Sequence, residues 1–136
     1  MKGAAAAVVL ALLVGGCANL LPAPRCPAGQ QRLRTAQLFF GRDVAGRPQV
    51  SEAQFRRFLD EVLTPRFPDG LTILDGGGQW KGAENRLIRE SSKVVLIVLP
   101  HTPDANARLD AVRAAYRQRF GQDSVLLVTQ AACVSF

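Results

Sequence analysis

The alternation of apolar and polar positions first becomes regular at Leu33. From Leu33 to Phe40, Ala36, Leu38 and Phe40 fall on one side and Gln37 and Phe39 on the other, the period of a strand. A polar loop over Gly41 to Gln49 follows. Ser51 is then placed to cap a helix, with Gln54 at the capping-box position and Val50 and Phe55 spaced as a hydrophobic staple. Phe55, Phe58, Leu59 and Val62 recur at i, i+3, i+4 and i+7, one apolar stripe. Arg56, Arg57, Asp60 and Glu61 form the wet face, where Arg56–Asp60 and Arg57–Glu61 stand four residues apart. Pro65 disfavours helical geometry at Thr64, so the helix should stop there. Pro68-Asp69-Gly70 is a turn signature: Pro presets φ, Asp bonds its own backbone, and Gly supplies a positive φ.

Leu71 to Trp80 reads as the second strand and opens the hairpin predicted at the centre of the sheet. Asp75-Gly76-Gly77-Gly78 interrupts it, which predicts a bulge, a bend or a break. No helix with phosphate-loop spacing follows those glycines. Lys81 to Asn85 turns the chain. Arg86–Glu90 and Val94–Leu99 run back, as two strands or as one kinked at Ser91-Ser92. Thr102-Pro103 is placed to start a second helix, with Pro at its first position. Ala105, Leu109, Val112, Tyr116 and Phe120 make its buried stripe, Arg108, Arg113, Arg117 and Arg119 its exposed sides, and Gly121 its C-terminal cap. Ser124 to Thr129 is the last strand.

The order β-α-β-β-α-β predicts an α+β fold: a ferredoxin-like βαββαβ domain, an antiparallel sheet with two helices on one face. Such a sheet normally leaves its other face polar. Val94–Leu99 and Val125–Val128 are apolar throughout, so the second face needs a cover. A second copy packed sheet to sheet is the economical cover, and the N-terminal segment folded back is the alternative.

The N-terminus changes the picture of where this domain works. Lys2 precedes an unbroken apolar stretch, Ala4 to Val14, which is short against the ~20 residues a membrane-spanning helix needs. Leu13-Val14-Gly15-Gly16-Cys17 resembles the bacterial lipobox. That resemblance implies cleavage before Cys17 and lipidation of its sulfur and amine. Residues 1–16 are then a signal peptide, 17–32 a lipidated cysteine and proline-bearing linker, and 33–136 a single domain. Several acyl chains make such an anchor effectively permanent. Ala18, rather than Asp, after the cysteine implies the periplasmic face of the outer membrane, by analogy with enteric sorting. With Cys17 lipidated, Cys26 and Cys133 remain. Export favours a disulfide between them, with two free thiols as the alternative. Two cysteines and one His, His101, do not build a zinc site, and no cofactor motif is present.

The net charge is +6, or +5 once Lys2 is removed with the signal. A basic protein tethered to a membrane can lie against anionic headgroups. Nucleic acid is excluded as a partner by compartment and by the lack of a basic-aromatic motif.

The motifs Leu38-Phe39-Phe40-Gly41, Val50-Ser51-Glu52, Phe58-Leu59-Asp60-Glu61 and Thr64-Pro65-Arg66-Phe67-Pro68-Asp69-Gly70-Leu71-Thr72 carry a resemblance. Gly78-Gln79-Trp80, Glu90-Ser91-Ser92-Lys93, Tyr116 with Phe120-Gly121-Gln122, and Cys133-Val134-Ser135-Phe136 extend it. From about Thr35 to its end the chain resembles the bacterial family known as domain of unknown function 3574. The resemblance implies a small, often exported protein and brings no activity or catalytic residues with it.

Arg66, Asp69, Trp80, Glu90 and Lys93 are the candidate ligand-binding residues, all at or near the hairpin strands. Each also has a plainer structural use. Arg66 and Asp69 can satisfy the turn, Trp80 can pack in a core or dimer, and Glu90 and Lys93 can pair across a hairpin. His101 reads as an exposed loop residue. No catalytic set can be assembled. Three functions remain: a dimeric envelope module binding a small ligand or envelope protein, a cofactor-light enzyme of monooxygenase or isomerase kind, and a structural protein using its basic surface on membranes.

Overall fold

The computed structural model describes residues 25–44, 47 and 49–136. The signal segment, Cys17 and the linker up to residue 24 lie outside the described residues. The elements follow the expected order: β1 (Gln31–Gly41), α1 (Glu52–Phe58), β2 (Thr72–Lys81), β3 (Leu87–Leu99), α2 (Ala105–Phe120) and β4 (Leu126–Val134). The four strands form one sheet in the order β2-β3-β1-β4, and every neighbouring pair is antiparallel.

Alternation along β1 and β3 decides which face is buried. Ala36, Leu38 and Phe40 of β1 and Val95, Ile97 and Leu99 of β3 point to the helices. Phe55, Phe58, Leu59, Val62 and Leu63 meet them from the first helix, and Leu109, Val112 and Tyr116 from the second. Both helices therefore cover the same face. The centre of this core is aromatic: Tyr116 packs edge-on to Phe40 at 4.7 Å between ring centroids and to Phe58 at 5.0 Å. Each such pair adds about 1 kcal/mol beyond its area.

The first helix begins as its sequence dictates. Ser51 Oγ accepts the Gln54 N–H at 3.2 Å, and Gln54 Oε1 accepts the Ser51 N–H at 2.8 Å. The staple residues Val50 and Phe55 are both buried. The helix then widens into a π-helical turn, Leu59–Leu63, closed by the Thr64 N–H on the Leu59 carbonyl at 2.9 Å. The wide turn keeps Leu59, Val62 and Leu63 all inside. Pro65, which cannot donate, follows where it was expected to stop the helix.

Three expectations need correction. Gly76–Gly78 do not break β2: its ladder to β3 runs without a register shift from Thr72↔Leu96 to Lys81↔Leu87. Continuous pairing holds the glycines extended, and their bareness serves a neighbour. A Cβ on Gly76 would sit 2.8 Å from Ser92 Oγ and 3.2 Å from Val94 Cγ2. Of the two readings left open for β3, one continuous strand is the one found, because Ser92 and Lys93 pair with β1 as well as β2. Second, β2 is an edge strand and the central strands are β1 and β3. Third, α2 starts at Ala105 and not at Pro103: the Thr102 carbonyl takes the Ala105 N–H at 3.3 Å in a turn first. β4 also runs on to Val134, where pairing with Gln31 and Arg32 carries it past the apolar run. A disulfide joins Cys26 to Cys133 at this end of the sheet.

Candidate functional site

The even positions of β2, β3 and β4 and the odd positions of β1 form the sheet face that no helix of the described residues covers. Directly paired residues share a face, so the rows can be read from the register. Gln37, Leu96, Thr72 and Val128 make one row, and Phe39, Val94, Leu74 and Leu126 the next. Leu74 is 54% exposed, Leu126 58%, Val128 40% and Trp80 50%. The open face is apolar, as the unalternating strands predicted. Thr35 also lies on it, buried, with an Oγ1 that has no hydrogen-bond partner among the described residues.

The candidate residues fall into three separate places. The first is the turn before β2. Arg66 Nη1 donates to the Val62 carbonyl at 2.8 Å, and the Arg66 carbonyl accepts Arg108 Nη1 at 3.0 Å. Arg66 thus satisfies helix backbone and does not bond Asp69. Gly70, at φ +127°, closes the turn with its N–H on the Phe67 carbonyl at 3.4 Å. Asp69 stands on the rim of a cavity of about 460 Å³, walled by Leu33, Leu71, Leu96, Val98 and Phe136. This cavity lies at the end of the open face where β1 and β2 begin and β3 ends.

The second place is the other end of that face. Trp80 Nε1 donates to Glu90 Oε1 at 2.8 Å. The pair is diagonal across the β2–β3 ladder, one row apart from the direct partners Trp80↔Ile88 and Gly78↔Glu90. The bond fixes the indole on the open face. Arg66 precedes Thr72 and Trp80 follows it by about 27 Å of strand, so Arg66, Trp80 and Glu90 cannot line one pocket.

The third place is on the helix side. Lys93 is odd-numbered and Glu90 even, so their side chains leave β3 on opposite faces and the two do not pair. Lys93 is 6% exposed and donates to Asp75 Oδ1 at 2.5 Å and to Glu52 Oε1 at 2.9 Å. Arg42 reaches the same Glu52 oxygen at 2.6 Å. The Lys93 hydrogen bond is the main cause that holds both the Asp75 and the Glu52 carboxyl below their usual range. Its two carboxylate partners raise the Lys93 ammonium above the ordinary lysine value, Asp75 first. An ammonium held in its charged form is neither base nor nucleophile. Lys93 pins edge strand β2 and the start of α1 to the central strand.

Asp75, Glu52 and Arg42 were not singled out from sequence, because the register that sets Asp75 opposite Lys93 is a tertiary fact. The cavity walls were foreshadowed only as apolar strand residues. His101 is exposed beside a shallow cavity of about 270 Å³ that Arg34 and Pro103 also line. No group of three or more His, Cys, Asp or Glu among the described residues is placed to hold a metal ion.

Comparison with solved structures finds the same fold in a phage SAM lyase. In complex with S-methyl-5'-thioadenosine it matches with a TM-score of 0.58 and 16% identity, over 83% of this chain and 95% of that one. In its apo state it matches with a TM-score of 0.56 and 17% identity, over 77% and 90%. CutA from Synechococcus elongatus, complexed with Bis-Tris, gives a TM-score of 0.47 at 11% identity over 76% and 85%. No curated protein matches the chain. The sequence profile of the family described as protein of unknown function, DUF3574, matches residues 35–136. With three quarters of its length inside that match, the chain belongs to the DUF3574 family.

Proposed function

We propose that this protein is an exported bacterial lipoprotein whose ferredoxin-like domain works as a dimer, binding a small ligand or an envelope protein. The open sheet face carries the proposal. Leu74, Val128 and Leu126 stand half-exposed on it beside Phe39, Val94 and Leu96, and a monomer would leave these apolar rows in water. The Cys26–Cys133 bond supports an oxidising compartment, and the signal segment with Cys17 supplies the anchor to the periplasmic face of the outer membrane. The test is native mass spectrometry on protein extracted gently from the producing cell's membranes. The expected spectrum is a dimer carrying lipid at Cys17 and a retained small molecule. Monomers would remove the dimer, and an unlipidated chain would remove the anchor.

A second reading, cofactor-light catalysis on the same face, draws on Glu90. Its Oε1 is held by the Trp80 indole while the carboxylate stands half-exposed on the open side. The phage lyase captured with a thioadenosine has the same fold, so that nucleoside is a rational first probe. Calorimetry with S-methyl-5'-thioadenosine tests binding. If turnover of any substrate is found, Glu90→Gln must abolish it for this reading to stand.

A further inference from the structure

β3 outruns β1. The β1–β3 ladder ends at Gly41↔Ser92, whereas the β2–β3 ladder continues through five more pairs, Gly77↔Ser91 to Lys81↔Leu87. These pairs form a two-stranded arm roughly 17 Å long beyond the body of the sheet. An isolated two-stranded ribbon is marginal in water. This one also exposes Trp80 and Leu87, each at about half of its surface. At the opposite end of the same face lies the apolar cavity of about 460 Å³ beside Phe136, a side chain that is 98% exposed. A projecting aromatic and an apolar cavity on one self-facing surface are complementary features of one interface.

We propose that each arm lays Trp80 into the Leu33, Leu96, Val98 and Phe136 cavity of a second copy. This rests on the dimer reading above. A twofold axis running across the strands reverses one sheet on the other. Two faces so stacked overlap along their whole length, arms included, when each arm covers the partner's cavity end. The area argues for that register. Four strands spaced about 4.8 Å apart and about nine residues long give about 600 Å² per copy, or about 1,200 Å² in all. That is the floor for stable interfaces, and covering the arms adds about 300 Å² to the total, well inside the usual range. Charge favours the same register. The cavity rim offers Asp69 to Arg86 at the arm's tip.

Trp80 is the chain's only tryptophan, so its emission reads its surroundings directly. The full lipidated protein in detergent should emit to the blue as a dimer and shift red on dilution to monomer. Trp80→Ala, on the arm and outside the core, should weaken association about 50-fold, since roughly half of a large aromatic surface is at stake. Val98→Asp should weaken it at least as much, with unchanged circular dichroism showing that both variants fold. A benzophenone amino acid at position 80 should cross-link to the cavity peptides of an isotope-labelled second copy. A dimer with solvent-exposed Trp80, cross-links to the partner's arm, or a small molecule filling the cavity in the dimer would each overturn the arm contact while leaving the dimer standing. Monomers at every concentration would overturn the dimer itself.

Discussion

Removing the Cys26–Cys133 disulfide should cost this domain a large share of its stability. The bond closes a loop with a sequence separation of 107. The chain-entropy relation values such a closure at about 5 kcal/mol at 25 °C. Little of that should be returned by a looser native state. Cys133 is already fixed in β4 opposite Arg32, and Gln31↔Val134 pairs beyond it. Only the short lead from Arg25 to Gln30 gains freedom, and its Gln30 N–H already bonds the Pro27 carbonyl at 3.1 Å. The perturbation is the double variant Cys26→Ser, Cys133→Ser, which leaves neither partner of the bond behind as a lone thiol. For a domain of this size the loss corresponds to a melting temperature lower by about 20 °C. With an ordinary urea dependence the midpoint should fall by about 3 M. Urea titrations followed by Trp80 emission and by circular dichroism read both ends of the fold. A midpoint shift below about 0.5 M, near 1 kcal/mol, would refute the reasoning. Hydrogen exchange that quickens only along β4 would place the loss in local fraying and not in the unfolded chain.

Tyr116 Oη donates to the Gly41 carbonyl at 2.8 Å from inside the aromatic cluster, and burial pushes its phenol far above the ordinary value. Tyr116→Phe should cost about 1 kcal/mol in chemical denaturation, because it strands that carbonyl. Thr35→Val removes a buried hydroxyl with no partner among the described residues and should be neutral or stabilising by up to about 1 kcal/mol. A loss of similar size would mean that the hydroxyl does have a partner. The Glu52 and Asp75 carboxyls are held below their usual values, so their contribution is present above those values and fades as pH falls through the lowered ones. Lys93 is raised, so its share persists until the pH climbs past the raised value. The stability gap between the native chain and Lys93→Met should therefore be flat through neutrality and shrink below about pH 4, and a gap unchanged in acid would contradict the network.

Local chemistry was legible in the chain because local rules act within a few residues. Ser51 and Gln54 cap the first helix as their spacing required, Gly121 ends the second in the left-handed conformation, and Pro68-Asp69-Gly70 turns. The strands of unbroken hydrophobicity announced a second apolar face, since apolar residues on both sides of a strand must both be accounted for. The order of elements and the family resemblance were legible for the same reason: each is carried by contiguous motifs.

What stayed hidden depends on which strand lies beside which. Gly76–Gly78 look like a break in isolation, yet a ladder of ten pairs holds them extended, and the missing side chain of Gly76 admits Ser92 and Val94. Glu90 and Lys93 look like neighbours along the chain, but three residues on a strand put them on opposite faces. Lys93 finds Asp75 and Glu52 only through the β2–β3 register and the docking of the first helix. Trp80 meets Glu90 across the hairpin, while Arg66 and Asp69 stand at the far end of the same strand. The sequence alone determined the elements, the caps of the helices at Ser51 and Gly121, and the excess of apolar surface. Tertiary structure decided which charges compensate one another and where that surface opens, because pairing partners 18 to 75 residues apart are selected by register and packing and not by anything within reach along the chain.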